Sequence, residues 1–129
     1  MYTTRIYYQD TDAGGVVYFA NYLRFFEKSW FRHLLSIGIS IPDWERDGTY
    51  VIVKAVSLDI TEKLFYGDEI AVETSVSEVK NAYFVLDHKV SKNNKTTAKG
   101  RTTMVCIDAN GKPKRIPEDF KARLMSSSP

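Results

Sequence analysis

One helical stretch, in a chain that otherwise alternates with a period of two, sets the strongest limit on how these 129 residues can fold. Phe19, Leu23, Phe26, Trp30, Leu34 and Ile37 recur at steps of three and four, with Arg24, Lys28 and Arg32 on another face. The spacing predicts an amphipathic helix of about five turns with an aromatic stripe, stopped by Gly38 and left behind at Pro42. Ahead of it, residues 2–9 are rich in Ile and Tyr and read as a strand. Behind it, after a loop over 43–48, four strands follow in hairpin order. The first covers 50–61, where Val56, Leu58 and Ile60 alternate with Ser57, Asp59 and Thr61. The second follows Gly67-Asp68 and puts Ile70, Val72 and Val76 on one face. The third follows Asn81 and aligns Phe84, Leu86, His88 and Val90. The fourth runs over 96–108, between the turns at Asn93-Asn94-Lys95 and Ala109-Asn110-Gly111. Residues 116–120 predict a short helix entered through Pro117, and 126–129 a frayed end.

A single helix cannot cover both faces of a five-stranded sheet. The expected architecture is therefore α+β, one domain over residues 1–129 with an antiparallel sheet wrapped around its helix and association through what remains exposed. Hydrophobic content of 43% and charged content of 26% suit a packed domain, and 13% aromatic residues suit a core or an interface built on rings. Eighteen Lys and Arg against sixteen Asp and Glu leave a charge of only +2, too small and scattered for a nucleic-acid partner. The lone Cys106 rules out an internal disulfide and points to a reducing, cytoplasmic setting. No apolar run reaches signal-peptide length or the roughly 20 residues of a bilayer span, so neither secretion nor a membrane span is expected.

Standard catalytic devices are missing. There is no Gly-x-Ser-x-Gly elbow, no phosphate-cradling Gly-x-x-x-x-Gly-Lys and no His/Cys cluster at metal-ligand spacing, so neither metal nor bound cofactor is expected. Chemistry concentrates in Tyr8-Gln9-Asp10-Thr11-Asp12-Ala13-Gly14-Gly15-Val16-Val17-Tyr18-Phe19-Ala20-Asn21-Tyr22. This is an acidic loop running through two glycines into the start of the long helix. The N–H groups of a helix start can polarise a carbonyl and stabilise the oxyanion formed on attack. A carboxylate nearby can attack that carbonyl or activate water. On pattern alone, Asp10 or Asp12 serves equally as a helix N-cap.

The same segment resembles the signature of hot-dog-fold thioesterases of the 4-hydroxybenzoyl-CoA thioesterase class, and within it the YbgC-like acyl-CoA thioesterases. Tyr7-Tyr8, residues 10–18, Ala20-Asn21-Tyr22 and Phe25-Phe26-Glu27 carry the match, with weaker agreement at Ser57-Leu58-Asp59 and over 72–79. The resemblance implies a hot-dog fold and hydrolysis of an acyl-CoA thioester to free acid and coenzyme A. It implies catalysis by Asp12, as nucleophile or general base, with the Phe19 backbone N–H polarising the carbonyl; Asp10 is then structural. It also implies a site formed between subunits, hence a homo-oligomer of at least two chains, with tetramers common in the class. Gln9 and Phe19 depart from the family, which often has Glu and His there. An acyl-carrier-protein thioesterase, a non-catalytic acyl-CoA-binding protein and a scaffold for envelope proteins are the alternatives.

Other residues read more simply. His88, in phase with Phe84 and Leu86, is a core histidine, His33 lies at the margin of the apolar stripe, and Cys106 is a small hydrophobe. Lys89, Lys92, Lys95, Lys99 and Arg101 form either a solvated edge or a cradle for coenzyme A phosphates. Phe19, Tyr22, Phe26 and Trp30 either line an acyl pocket or fill the core.

Overall fold

The computed structural model describes residues 1–127. Strands β1 (Tyr2–Arg5), β2 (Tyr50–Ile60), β3 (Glu69–Val79), β4 (Tyr83–Lys92) and β5 (Lys95–Ile107) form one antiparallel sheet in the order β1-β3-β4-β5-β2. Helix α1 (Asn21–Ser36) packs on the inner face, chiefly against β3. Its first half meets Val72, Val90 and Ala98, and its second half meets a layer that includes Phe84, Leu86 and Met104; Trp30 touches both. This is the expected α+β architecture, a sheet curled about one long helix.

The helical period holds, and Phe26, Trp30, Leu34 and Ile37 pack in the core as the spacing predicts, but the N-terminal end of the stripe does not. Tyr22, Phe25, Phe26, Ser29 and Leu34 are buried, whereas Phe19 is 61% and Leu23 45% exposed. The helix starts at Asn21, so Phe19 lies in the turn before it. The buried face can include polar Ser29 because Ser29 Oγ donates to the Val72 carbonyl at 3.2 Å and lies 2.7 Å from Thr74 Oγ1. Thr74 Oγ1 is 2.9 Å from His88 Nδ1, and His88 Nε2 is 2.7 Å from Thr102 Oγ1. Because a carbonyl only accepts, the whole chain has one direction. Thr102 donates to Nε2, Nδ1–H donates to Thr74, and Thr74 donates to Ser29. Phe26 lies flat on the imidazole, with centroids 4.4 Å apart and planes at 14°. It fits only because residue 100 is glycine: a Cβ there would stand 2.3 Å from Phe26 Cε2.

Three boundaries also differ. β1 ends at Arg5 rather than continuing to residue 9, because the Asp10 carboxylate accepts the Tyr7 N–H at 2.9 Å and closes a 3-10 turn over Tyr8–Asp10. The expected loop after Pro42 contains helix α2 (Ile41–Arg46). Proline suits its first turn, where no intrahelical N–H is needed, and Trp44 anchors it in full burial. The terminal helix α3 (Glu118–Ser127) is longer than 116–120, held by buried Leu124. It therefore takes in Ser126 and Ser127 of the expected frayed end, whose remainder lies outside the described residues.

Candidate active site

The acidic segment is a miniature hairpin. Thr11 bridges Val17, and the Asp12 N–H donates to the Val16 carbonyl at 2.9 Å. Asp12-Ala13-Gly14-Gly15 is the tight turn between them, closed by Gly15 N–H on the Asp12 carbonyl at 3.0 Å. Gly15 sits at φ +81, which favours glycine, and aspartate opens such turns because its carboxylate can bond the backbone two residues on. Here Asp12 Oδ1 accepts the Gly14 N–H at 2.8 Å. Oδ2 has no hydrogen-bond partner among the described residues, and the side chain is exposed. Val17 N–H to the Leu64 carbonyl at 2.9 Å, and a bridge from Val16 to Phe65, dock the hairpin on the segment before β3. Neither aspartate caps α1. Asp10 is buried and bonds the loop backbone, while Asp12 fixes its own turn.

The hairpin leads into a helix start that no side chain caps. Ala20 occupies the N-cap position and brings no oxygen, and the first turn holds no acidic residue. Asn21, Tyr22 and Leu23 already donate to the carbonyls of Tyr18, Phe19 and Ala20, and Tyr18 N–H donates to Asp10 O at 3.0 Å. The N–H groups of Phe19 and Ala20 have no acceptor among the described residues. They stand at the positive end of α1. One short loop thus carries a carboxylate with a free oxygen and two free donors at a helix start. Those are the two kinds of group that acyl transfer calls for.

The family model described as the thioesterase-like superfamily matches residues 7–124. The chain belongs to that superfamily. It is 34% identical over 123 residues to the acyl-CoA thioesterase YbgC of Haemophilus influenzae, covering 94% of this chain and 90% of that protein. It is 33% identical over 117 residues to a 1,4-dihydroxy-2-naphthoyl-CoA hydrolase of Microcystis aeruginosa, covering 90% and 84%. Among solved structures, a hypothetical protein of Aquifex aeolicus superposes with a TM-score of 0.89 at 28% identity, covering 95% of this chain and 97% of that one. The molecule is a thioester hydrolase of the hot-dog fold, as the motif's resemblance implied.

Other residues of this thioesterase fall away from the hairpin. His88 is 3% exposed within its hydroxyl chain, and burial pushes its pKa down to about 4, against a small opposing effect of Asp87. His33 is half-buried and 2.9 Å from Ser127 Oγ. Burial pushes the Cys106 thiol up to about 11, so it is not a nucleophile at neutral pH. Of the five cations near the last hairpin, Lys89, Lys92, Lys95 and Arg101 pair with Glu73, Asp68, Glu62 and Asp87. That favours the solvated edge over a phosphate cradle. Tyr22, Phe26 and Trp30 fill the core, and only Phe19 of the four aromatics faces out. A groove of about 590 Å³ lies on the outer sheet face among Asp59, Glu73, Asp87, Lys89, Lys99 and Arg101, and includes neither Asp12 nor Phe19. Among the described residues, no group of three or more His, Cys, Asp or Glu could hold a metal ion, and no helix is long and apolar enough to cross a membrane. Among the polar contacts of the loop that the sequence leaves unread is one made by Asn21, a weak helix former at the first position of α1.

Proposed function

We propose that the whole chain is one acyl-CoA thioesterase domain, with Asp12 and the Phe19 N–H as its catalytic groups. The carrying observation is Asp12 itself: Oδ1 is held by Gly14 and Oδ2 is free, on the hairpin that delivers the chain to the uncapped start of α1. The thioester oxygen accepts from the Phe19 N–H. Asp12 Oδ2 then attacks the carbonyl carbon, the C–S bond breaks, the coenzyme A thiolate leaves and takes up a proton, and water hydrolyses the mixed anhydride. In the alternative order Asp12 takes a proton from water, which attacks in its place, and that proton ends on the thiolate. Either route needs an ionised carboxylate shielded from bulk water, and in a single chain Asp12 is exposed.

A second copy supplies the cover. Among the described residues β2 has β5 as its only neighbour, and its Ile52, Val53, Val56 and Ile60 are 39–49% exposed along an unpaired edge of eleven residues. Such an edge calls for a partner strand, and we assign it to a second chain, giving at least a dimer and, by pairing of dimers, a tetramer. The setting is cytoplasmic. The experiment is free-thiol release from butyryl-, palmitoyl- and benzoyl-CoA by wild type and Asp12→Asn, which keeps shape and removes charge. The expected result is a loss of at least about a hundredfold in kcat for the variant. No turnover on any of the three, or equal turnover by both proteins, overturns the assignment.

A further inference from the structure

The reaction proposed above needs the Asp12 carboxylate and the donors ahead of α1 held at a constant separation, and the backbone between them passes through Gly14 and Gly15. What ties the two together is polar. The Asn21 side-chain amide reaches back along the chain, and its Nδ2 donates to the Asp10 carbonyl at 2.9 Å. The Tyr18 N–H donates to the same oxygen at 3.0 Å. Asp10 is itself immobilised. It is 8% exposed, its N–H donates to the Tyr7 carbonyl at 2.9 Å, and its carboxylate accepts the Tyr7 N–H. Asp10 therefore presents a rigid acceptor two residues before Asp12, and Asn21 fastens the first residue of the helix to it. At helix starts Asn ordinarily serves as the N-cap, where its oxygen accepts a backbone N–H. In this chain Ala20 holds that position, and Asn21 donates instead. Asn is also a poorer helix former than Ala at this position, so the contact rather than propensity accounts for it.

We propose that Asn21 is a positioning residue for thioester cleavage: through the Asp10 carbonyl it fixes the donor end of α1 against the hairpin that carries Asp12. This rests on the reading of Asp12 and Phe19 given above. Removing the amide leaves the groups present but lets their spacing drift, and a misplacement near 1 Å costs on the order of a hundredfold in rate. The loss appears in kcat rather than KM, because coenzyme A makes no contact with Asn21 in this scheme.

The test uses full-length wild type, Asn21→Ala, Asn21→Gln, Asp12→Asn and the Asn21→Ala/Asp12→Asn double variant. Each is assayed by thiol release with whichever of butyryl-, palmitoyl- or benzoyl-CoA the wild type turns over fastest, and melted in parallel. Asn21→Ala should lose about ten- to a hundredfold in kcat with KM within about threefold and a melting point within about 5 °C. Asn21→Gln, whose amide can still reach, should recover part of the loss. With Asp12 already disabled, Asn21→Ala should add nothing, since groups acting as a unit are non-additive. Wild-type kcat in Asn21→Ala beside an inactive Asp12→Asn overturns the positioning role and leaves the proposed function standing. So does an equal proportional loss from Asn21→Ala in the Asp12→Asn background, or a loss explained by unfolding. Wild-type kcat in Asp12→Asn, or no wild-type turnover, removes the reading of Asp12 and this inference with it.

Discussion

Acid should weaken this fold over one definable interval, and the cause is His88. Its ring is sandwiched between Phe26 and the sheet, 3% exposed, and the hydroxyl chain that ends on the Val72 carbonyl leaves Nε2 as an acceptor. Protonating Nε2 desolvates a charge and forces Thr102 to reverse its hydroxyl. The folded pKa accordingly falls to about 4 from 6.5. Between these values the unfolded chain binds the proton and the folded chain does not. Stability therefore rises with pH across the interval and is lost as pH drops from 6.5 toward 4. At about 1.36 kcal/mol per pH unit the full gap is on the order of 3 kcal/mol, of which about 2 kcal/mol is lost between pH 7 and pH 4.5. Carboxylates begin to titrate at the lower end, so the decisive quantity is the difference from a variant that cannot titrate. Urea unfolding of wild type and His88→Gln at both pH values should show Gln less stable at pH 7. The wild-type free energy should then fall by about 2 kcal/mol more than that of the variant on going to pH 4.5. Equal falls, within about 0.5 kcal/mol, would refute a buried neutral imidazole.

Two further outcomes follow from the packing. Gly100→Ala should cost about 2 kcal/mol in urea unfolding, because its Cβ meets Phe26 at 2.3 Å and the Ser57 carbonyl at 3.0 Å; Phe26→Leu in the same chain should return part of the loss, and strict additivity would break the link. Val56→Lys on the open edge of β2 should yield a monomer in sedimentation velocity with thiol release reduced at least tenfold, whereas a retained dimer of normal activity would take β2 out of the interface.

Much of this was legible in the residues. The order of strand, long helix and four strands came through because period and turn chemistry are local signals: Asn93 and Asn94 do adopt positive φ, and Gly38 does end the helix region. The first turn of α1 was not legible, since Phe19 and Leu23 are as apolar as Tyr22 and Phe25, which face the core in their place. Nor was the end of β1. Ile and Tyr favour a strand to residue 9, but the Asp10 carboxylate bonding back to Tyr7 bends the chain first. For the site, the motif placed Asp12 and Phe19 on one loop. The identity of the bare donors required the completed hydrogen-bond account, in which every N–H from Asn21 to Leu23 is spoken for and those of Phe19 and Ala20 are not.

The bare helix start follows from the local backbone. A Ser, Thr or Asp cap ordinarily stabilises a helix by about 1 kcal/mol from an extended backbone; Ala20 is instead helical at φ −65 and ψ −21, and the N–H groups such a side chain would reach, those of Tyr22 and Leu23, already donate to carbonyls. An acidic side chain there would also oppose the negative charge that, in the proposed reaction, develops on a carbonyl bound at the Phe19 N–H. The chain instead holds α1 from two other places, at Asn21 through the Asp10 carbonyl and at Ser29 through Val72 and Thr74. Both contacts fix the position of the helix without occupying its end. Aromatic burial along Tyr22, Phe25 and Phe26 supplies the bulk of the packing but is non-directional. The polar pair supplies the register on which the proposed acyl transfer depends.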